Sequence, residues 1–193
     1  HQEQSIITIA SGTSVSGLAK QLNQAGLLDS PVVFSGVVRL SGTGGYIRAG
    51  DFRIDTRWNY EELLEHLTKD NEVQYSITII EGMRVQDVVK QVQANPKIKR
   101  DFPDQDMESI RNLLKLTDFP EGAFLPDTYF VRAGSSESDF YLRANKALLD
   151  FFKREWGKRQ SNLPFKSPME ALIAASIVEK ETGKPEERPL IAA

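Results

Sequence analysis

The sequence predicts an α+β fold in two parts. A strand–helix–helix–strand module with a connecting helix occupies residues 1–72, and a mixed α+β domain occupies 73–193. Three observations carry this. The short runs at 5–10 and 73–79 are β-branched or alternate every second residue, as strands do. The segments between repeat their apolar residues at helical spacing, and the period changes at Gly12, Gly26, Ser30 and Gly42. Near the far end, residues 167–183 form an almost wholly apolar helical segment, rich in small residues, that is expected to be buried.

Composition narrows the class. An apolar share of 40% and a charged share of 26% are ordinary for a globular protein with an ample core. A net charge of −3 and the lack of a basic stripe argue against nucleic acid as a partner. With no cysteine there is neither a disulfide nor a thiolate metal site. Two histidines, His1 and His66, make a Ser-His-Asp triad or a histidine-rich zinc centre improbable. No stretch reaches the ~20 apolar residues of a membrane span, and no signal peptide opens the chain.

Residues 5–10 read as the first strand, and Ser11-Gly12-Thr13 turns it into a helix carrying Val15, Leu18, Ala19 and Leu22, stopped by Gly26. Ser30-Pro31 starts a second helix with Val33, Phe34, Val37, Val38 and Leu40, ended by Gly42. The glycines at 42–45 are expected to lead into a strand pair around 46–48 and 51–54. Asn59 with Glu62 forms a capping box for a helix whose Leu63, Leu64 and Leu67 face inward. On that helix His66 reads as a partly exposed surface residue. Val73, Tyr75, Ile77 and Ile79 alternate into the second domain. Glu81-Gly82 turns into a helix bearing Val85, Val88, Val89 and Val92. A polar connection at 95–105, an amphipathic helix at 106–116 and a longer helix at 138–156 follow, the last with Phe140, Leu142, Leu148, Leu149, Phe151 and Phe152.

Two stretches hold candidate chemistry. The first is EGAFLPDTY at 121–129, where Gly122 and Pro126 shape a loop. Phe124 and Tyr129 could stack on sugar rings, and Glu121, Asp127 and Thr128 could bond to hydroxyls. The alternative is a loop whose aromatics plug the core and whose aspartate caps a turn. The second stretch is the helix from Ser167, with Pro168 at its first position and Glu170 completing a capping box, running through ASIVEKET at 175–182. Gly183 and Pro185 are expected to stop it.

Its two glutamates point differently. Glu181 continues the face of Ile173, Ile177 and Val178, whereas Glu179 follows Ala171, Leu172, Ala175 and Ser176. An apolar flank and the negative end of the helix dipole would both raise the pKa of Glu181, as a general acid near neutral pH requires. The alternative is a pair of solvated charges matched with Lys180 or Lys184.

ASIVEKET preceded by EGAFLPDTY, in this order and spacing, resembles the endolytic murein transglycosylase family, the YceG-like or MltG-like proteins, from about residue 5 onward. The resemblance implies a LysM-like N-terminal module, of a kind that binds N-acetylglucosamine-containing glycans, though residues 5–55 show no aromatic cluster for stacking. A purely packing or spacing module is the alternative there. It implies cleavage of the MurNAc–GlcNAc β-1,4 bond of peptidoglycan to 1,6-anhydroMurNAc ends, without metal or cofactor. In lytic transglycosylases the catalytic glutamate is followed by Ser or Thr, which matches Glu181-Thr182 and leaves Glu179 in reserve. Glu121, Phe124, Asp127, Thr128 and Tyr129 then fall to substrate binding or cleft support.

The partners implied are glycan strands and the cell-wall synthesis proteins. The implied place is outside the bacterial cytoplasmic membrane, on the periplasmic side, behind an N-terminal anchor absent from this chain. The family pattern continues past Ala193, so the catalytic domain is expected to be partial, and this chain alone is expected to fold but to cleave poorly or not at all. A non-catalytic peptidoglycan-binding or scaffold protein is the competing function. A pyridoxal-phosphate lyase would need a buried lysine and a phosphate-cradling loop, and neither is evident.

Overall fold

The first strand of the molecule, β1 (Gln4–Ile9), pairs antiparallel with β2 (Gly50–Asp55), from Gln4 opposite Asp55 to Ile9 opposite Gly50. The structure is a computed structural model that describes residues 4–117, 121–160, 162–182, 184 and 186–191. It divides into two units: residues 1–75 with 132–134, and residues 76–131 with 135–193.

In the first unit, α1 (Val15–Gln24) and α2 (Pro31–Ser41) lie between β1 and β2, so the β–α–α–β order is present. The caps at Ser30 and Asn59 are those the sequence announces, and Ser14 adds one to α1. The Ser14 hydroxyl accepts from the Gly17 N–H at 3.1 Å and the Ser30 hydroxyl from the Val33 N–H at 3.4 Å. Gly42 ends α2 at φ 68°, where a side chain would be strained. Asn59 and Glu62 cap α3 (Tyr60–Thr68) reciprocally.

The expected strand at 46–48 does not form. Residues Gly44–Tyr46 make a 3₁₀ turn instead, and β2 takes β1 as its partner. The turn is wedged against the helices: a Cβ on Gly44 would sit 3.1 Å from Val38 and 3.2 Å from Val15. Leu18, Ala19, Leu22, Phe34, Val38, Phe52, Ile54, Leu63 and Leu67 form the core, each large side chain stabilising by about 1.5–3 kcal/mol. Val33 and Leu40 point outward on α2, because the Phe34–Val38 stripe is the one that packs.

His66 is partly buried among rings, 4.5 Å from the centroid of Trp58 and 6.1 Å from that of Phe52. Its Nε2 is buried without a hydrogen-bond partner among the described residues. Burial lowers its pKa from the usual 6.5. The unfolded chain therefore binds a proton that the folded chain resists. Stability is full above that value, falls as the pH drops below it, and levels off once the folded ring also protonates. Urea midpoints measured from about pH 7 to pH 5 should fall, and His66→Phe should flatten that slope.

The strands β3 (Gln74–Ile79) and β5 (Asp127–Arg132), which lie beside each other, fall in the second unit over residues 76–79 and 127–131, and β4 (Ile98–Lys99) runs parallel there to β6 (Ser135–Ser136). The helices are α4 (Val85–Ala94), α5 (Met107–Leu113), α6 (Glu137–Trp156), α7 (Pro168–Glu181) and the single turn α8 (Arg188–Ile191). Among the described residues no helix is long and apolar enough to cross a membrane.

The buried seam of α6 is Phe140, Tyr141, Ala144, Asn145 and Leu148, at helical spacing. Leu142, Leu149 and Phe151 fall on its outer side and stay exposed. At its first turn Glu137 is fully buried. One oxygen accepts the Asp101 and Phe102 N–H groups at 2.7 and 2.6 Å. The other accepts from Gln93 Nε2 at 3.1 Å and the Tyr141 hydroxyl at 3.2 Å. The polar connection is thereby tied to two helices, and burial beside this carboxylate pushes the Tyr141 hydroxyl pKa upward.

The expectation for α7 is corrected. None of its residues is buried, and Met169, Ile173 and Ile177 are 51%, 55% and 56% exposed. Ser167 caps it as expected, accepting from the Glu170 N–H at 3.2 Å. The proposed stops, Gly183 and Pro185, lie outside the described residues.

Candidate active site at the end of a helix

The 121–129 segment is less of a loop than its composition suggests, since β5 begins at Asp127. Glu121 reaches across to α4, whose own N-cap, Arg84, offers no side-chain bond, and accepts the Val85 N–H at 3.1 Å. Phe124 is buried and stacks on Tyr141 at 5.5 Å with the planes 20° apart. Tyr129 is buried edge-on to Phe140, and its hydroxyl donates to the Leu125 carbonyl at 2.7 Å. Burial and the Asp127 charge push the Tyr129 pKa up to about 12, far from proton transfer near neutrality. Asn145 Nδ2 donates to the Ala123 carbonyl at 2.8 Å and pins the segment to α6. Both aromatics are thus core residues, while Glu121, Asp127 and Thr128 are exposed. Asp127 accepts its neighbour's N–H at 2.7 Å, and the hydroxyls of Thr128 and Thr78 lie 3.0 Å apart across β5 and β3.

The segment also seats α7. Gly122 has φ 71°, and a Cβ there would come within 3.0 Å of Leu172 Cδ2. Gly82, at φ 76°, would bring a Cβ to 4.0 Å from Glu179 Cγ. Leu172 and Glu179, two turns apart, therefore lie on the docked face of α7, the one with the smaller side chains. The face of Ile173, Ile177 and Glu181 is open. Gly122→Ala combines a left-handed backbone with a collision against Leu172, and a loss of about 1–2 kcal/mol is expected. Thermal denaturation of the variant beside Gly122→Asn, which tolerates that φ better, would check it.

The two glutamates stand in different surroundings. Glu179 is half-buried and bound to Arg188, one terminal nitrogen lying 2.9 Å and 2.8 Å from its two oxygens. Glu181, the last residue of α7, is exposed and has no side-chain hydrogen bond or ion pair among the described residues. Thr182 is buried at 6% exposure. Its hydroxyl donates to Glu187 at 2.8 Å and accepts the Lys184 N–H at 3.0 Å. Sequence reasoning missed both Glu187 and Arg188. Their only local signal is two acids and a base in the turn after α7, which reads as an ordinary helix start.

An α+β unit that ends an apolar helix in one engaged and one unengaged glutamate, seated on a Gly-containing EGAFLPDTY segment, has the parts of an acid–base site. The chain belongs to the YceG-like family, which it matches over residues 7–193. It is 25% identical over 210 residues to the endolytic murein transglycosylase of Bacillus subtilis (strain 168). That match covers 96% of this chain and 56% of that protein, so the chain spans little more than half the length of its relative. A crystal structure of a YceG-like protein from Listeria monocytogenes is 18% identical with a TM-score of 0.46, over 97% of this chain and 67% of that one.

Proposed function

We propose that this chain carries the acid–base machinery of a peptidoglycan lytic transglycosylase that cuts glycan strands endolytically, with Glu181 as its catalytic residue. The observation that carries the choice is the contrast at the end of α7: Arg188 engages Glu179, and Glu181 is unengaged. Family membership and the name of the Bacillus subtilis relative support the reaction class.

In the proposed reaction, protonated Glu181 gives its proton to the glycosidic oxygen as the bond from MurNAc C1 to that oxygen breaks. The MurNAc C6 oxygen then bonds to C1, and the hydroxyl proton passes to the Glu181 carboxylate. The residue returns to its starting state, no water is consumed, and the product ends in 1,6-anhydroMurNAc. A single carboxylate serves as acid and then base, so the paired carboxylates of ordinary glycosidases are not required.

Asp127 and Thr128 are exposed residues of the EGAFLPDTY segment and are proposed to face the glycan; Glu121, also exposed, is engaged in capping α4, and Phe124 and Tyr129 give support from the core. The β–α–α–β module is proposed to act as a LysM-like element on the same polymer. The site of action is the peptidoglycan on the outer side of the cytoplasmic membrane. The test is mass spectrometry of glycan strands incubated with the full-length protein: anhydro-ended products are expected. Strands retained without new anhydro ends would instead make the protein a peptidoglycan binder or scaffold.

A further inference from the structure

Two consecutive residues beyond α7 hold the two positions that bracket Glu181. Glu187 takes the Thr182 hydroxyl at 2.8 Å on one oxygen, and Lys184 Nζ lies 3.2 Å from the other. Arg188 takes both oxygens of Glu179. Thr182 leaves the helix in an extended conformation, φ −146° and ψ 132°, yet its N–H still reaches the Val178 carbonyl at 3.2 Å. A final helical turn normally frays, because its last carbonyls lack partners. Here its end is gripped at Glu179 and at Thr182 while Glu181, between them, is left unengaged.

We infer that Glu187 and Arg188 form a positioning clamp that sets the direction of Glu181. The inference rests on the reading of Glu181 as the acid. Neither clamp residue acts on the glycan. Glu187 works through Thr182, whose hydroxyl is plugged inward so that the preceding residue must project outward. Arg188 works through Glu179, which it keeps off the site. A misplacement of about 1 Å can cost about a hundredfold in rate, so the clamp should govern kcat more than KM.

The experiment uses the full-length protein acting on purified, uncrosslinked glycan strands of alternating GlcNAc and MurNAc. It reads kcat and KM for anhydro-end formation, well below each variant's thermal midpoint. Thr182→Val keeps the shape of the side chain and removes its hydroxyl; Glu187→Ala removes the acceptor. Each is expected to lower kcat by about 10–100-fold with KM changed by less than about threefold. Thr182→Ser and Glu187→Gln keep a hydroxyl and an acceptor oxygen, and should stay within about threefold of the parent. Parental kcat in Thr182→Val would overturn the clamp, as would a Thr182→Ser variant as slow as Thr182→Val. If Glu187→Ala does not fold, the Thr182 pair decides alone. Glu181→Gln run alongside separates the two ideas. If it stays active, the acid has been misassigned; if it is dead while Thr182→Val is parental, only the clamp falls.

Discussion

Glu181→Gln is expected to abolish formation of anhydro-ended products while leaving the fold intact. Glutamine preserves size and hydrogen bonding but has no transferable proton, and the proposed reaction uses that proton twice. General acid–base catalysis is worth about 10²–10⁴-fold, and both steps would be lost together. Because Glu181 is exposed and unengaged among the described residues, its replacement breaks no contact that supports α7. Glu179→Gln should behave differently. The amide oxygen can still accept from Arg188, and the rate should stay within about tenfold of the parent. Product analysis by mass spectrometry on the full-length protein discriminates the two. A dead Glu179→Gln beside an active Glu181→Gln would reverse the assignment. Activity in both would move the acid elsewhere, to Asp127 before Glu121, since Glu121 is already engaged in capping α4.

The largest stability effect is expected far from that chemistry, at Glu137→Ala. The fully buried carboxylate accepts from two backbone N–H groups, an amide and a phenol. Deleting it strands those donors, at about 1–3 kcal/mol for each that stays dry. The loss of favourable charge at the start of α6 adds about 0.3–1 kcal/mol. A fall of about 3 kcal/mol or more in urea unfolding is therefore expected. Glu137→Gln keeps one acceptor oxygen for the Asp101 and Phe102 amides and should lose less. A change below about 1 kcal/mol for Glu137→Ala would show that water replaces the carboxylate.

Local sequence was a good guide wherever a few neighbouring residues settle the outcome. Ser30, Asn59 and Ser167 all cap the helices they announce, because a cap needs only a side chain three residues from an N–H. The alternation that buries Ile77 and Ile79 was equally plain. Around the site, the sequence distinguished the faces of Glu179 and Glu181, since helical spacing alone separates them. It did not say which face docks. The larger Ile173 and Ile177 suggested burial, but the Leu172 side fits the space that Gly122 leaves, and that fit involves residues fifty positions apart.

What the amino-acid sequence determined by itself is most of the helices, the strands β1, β2 and β3, the caps at Ser30, Asn59 and Ser167, and the two motifs that carry the family likeness. All of these depend on periodicity or on contacts within one turn. Tertiary structure alone decided that β1 and not residues 46–48 pairs with β2, that Phe124 and Tyr129 serve the core, and that Glu187 and Arg188 grip the end of α7. Each of those outcomes turns on which distant side chain reaches a given volume or polar atom first, and close packing leaves room for only one.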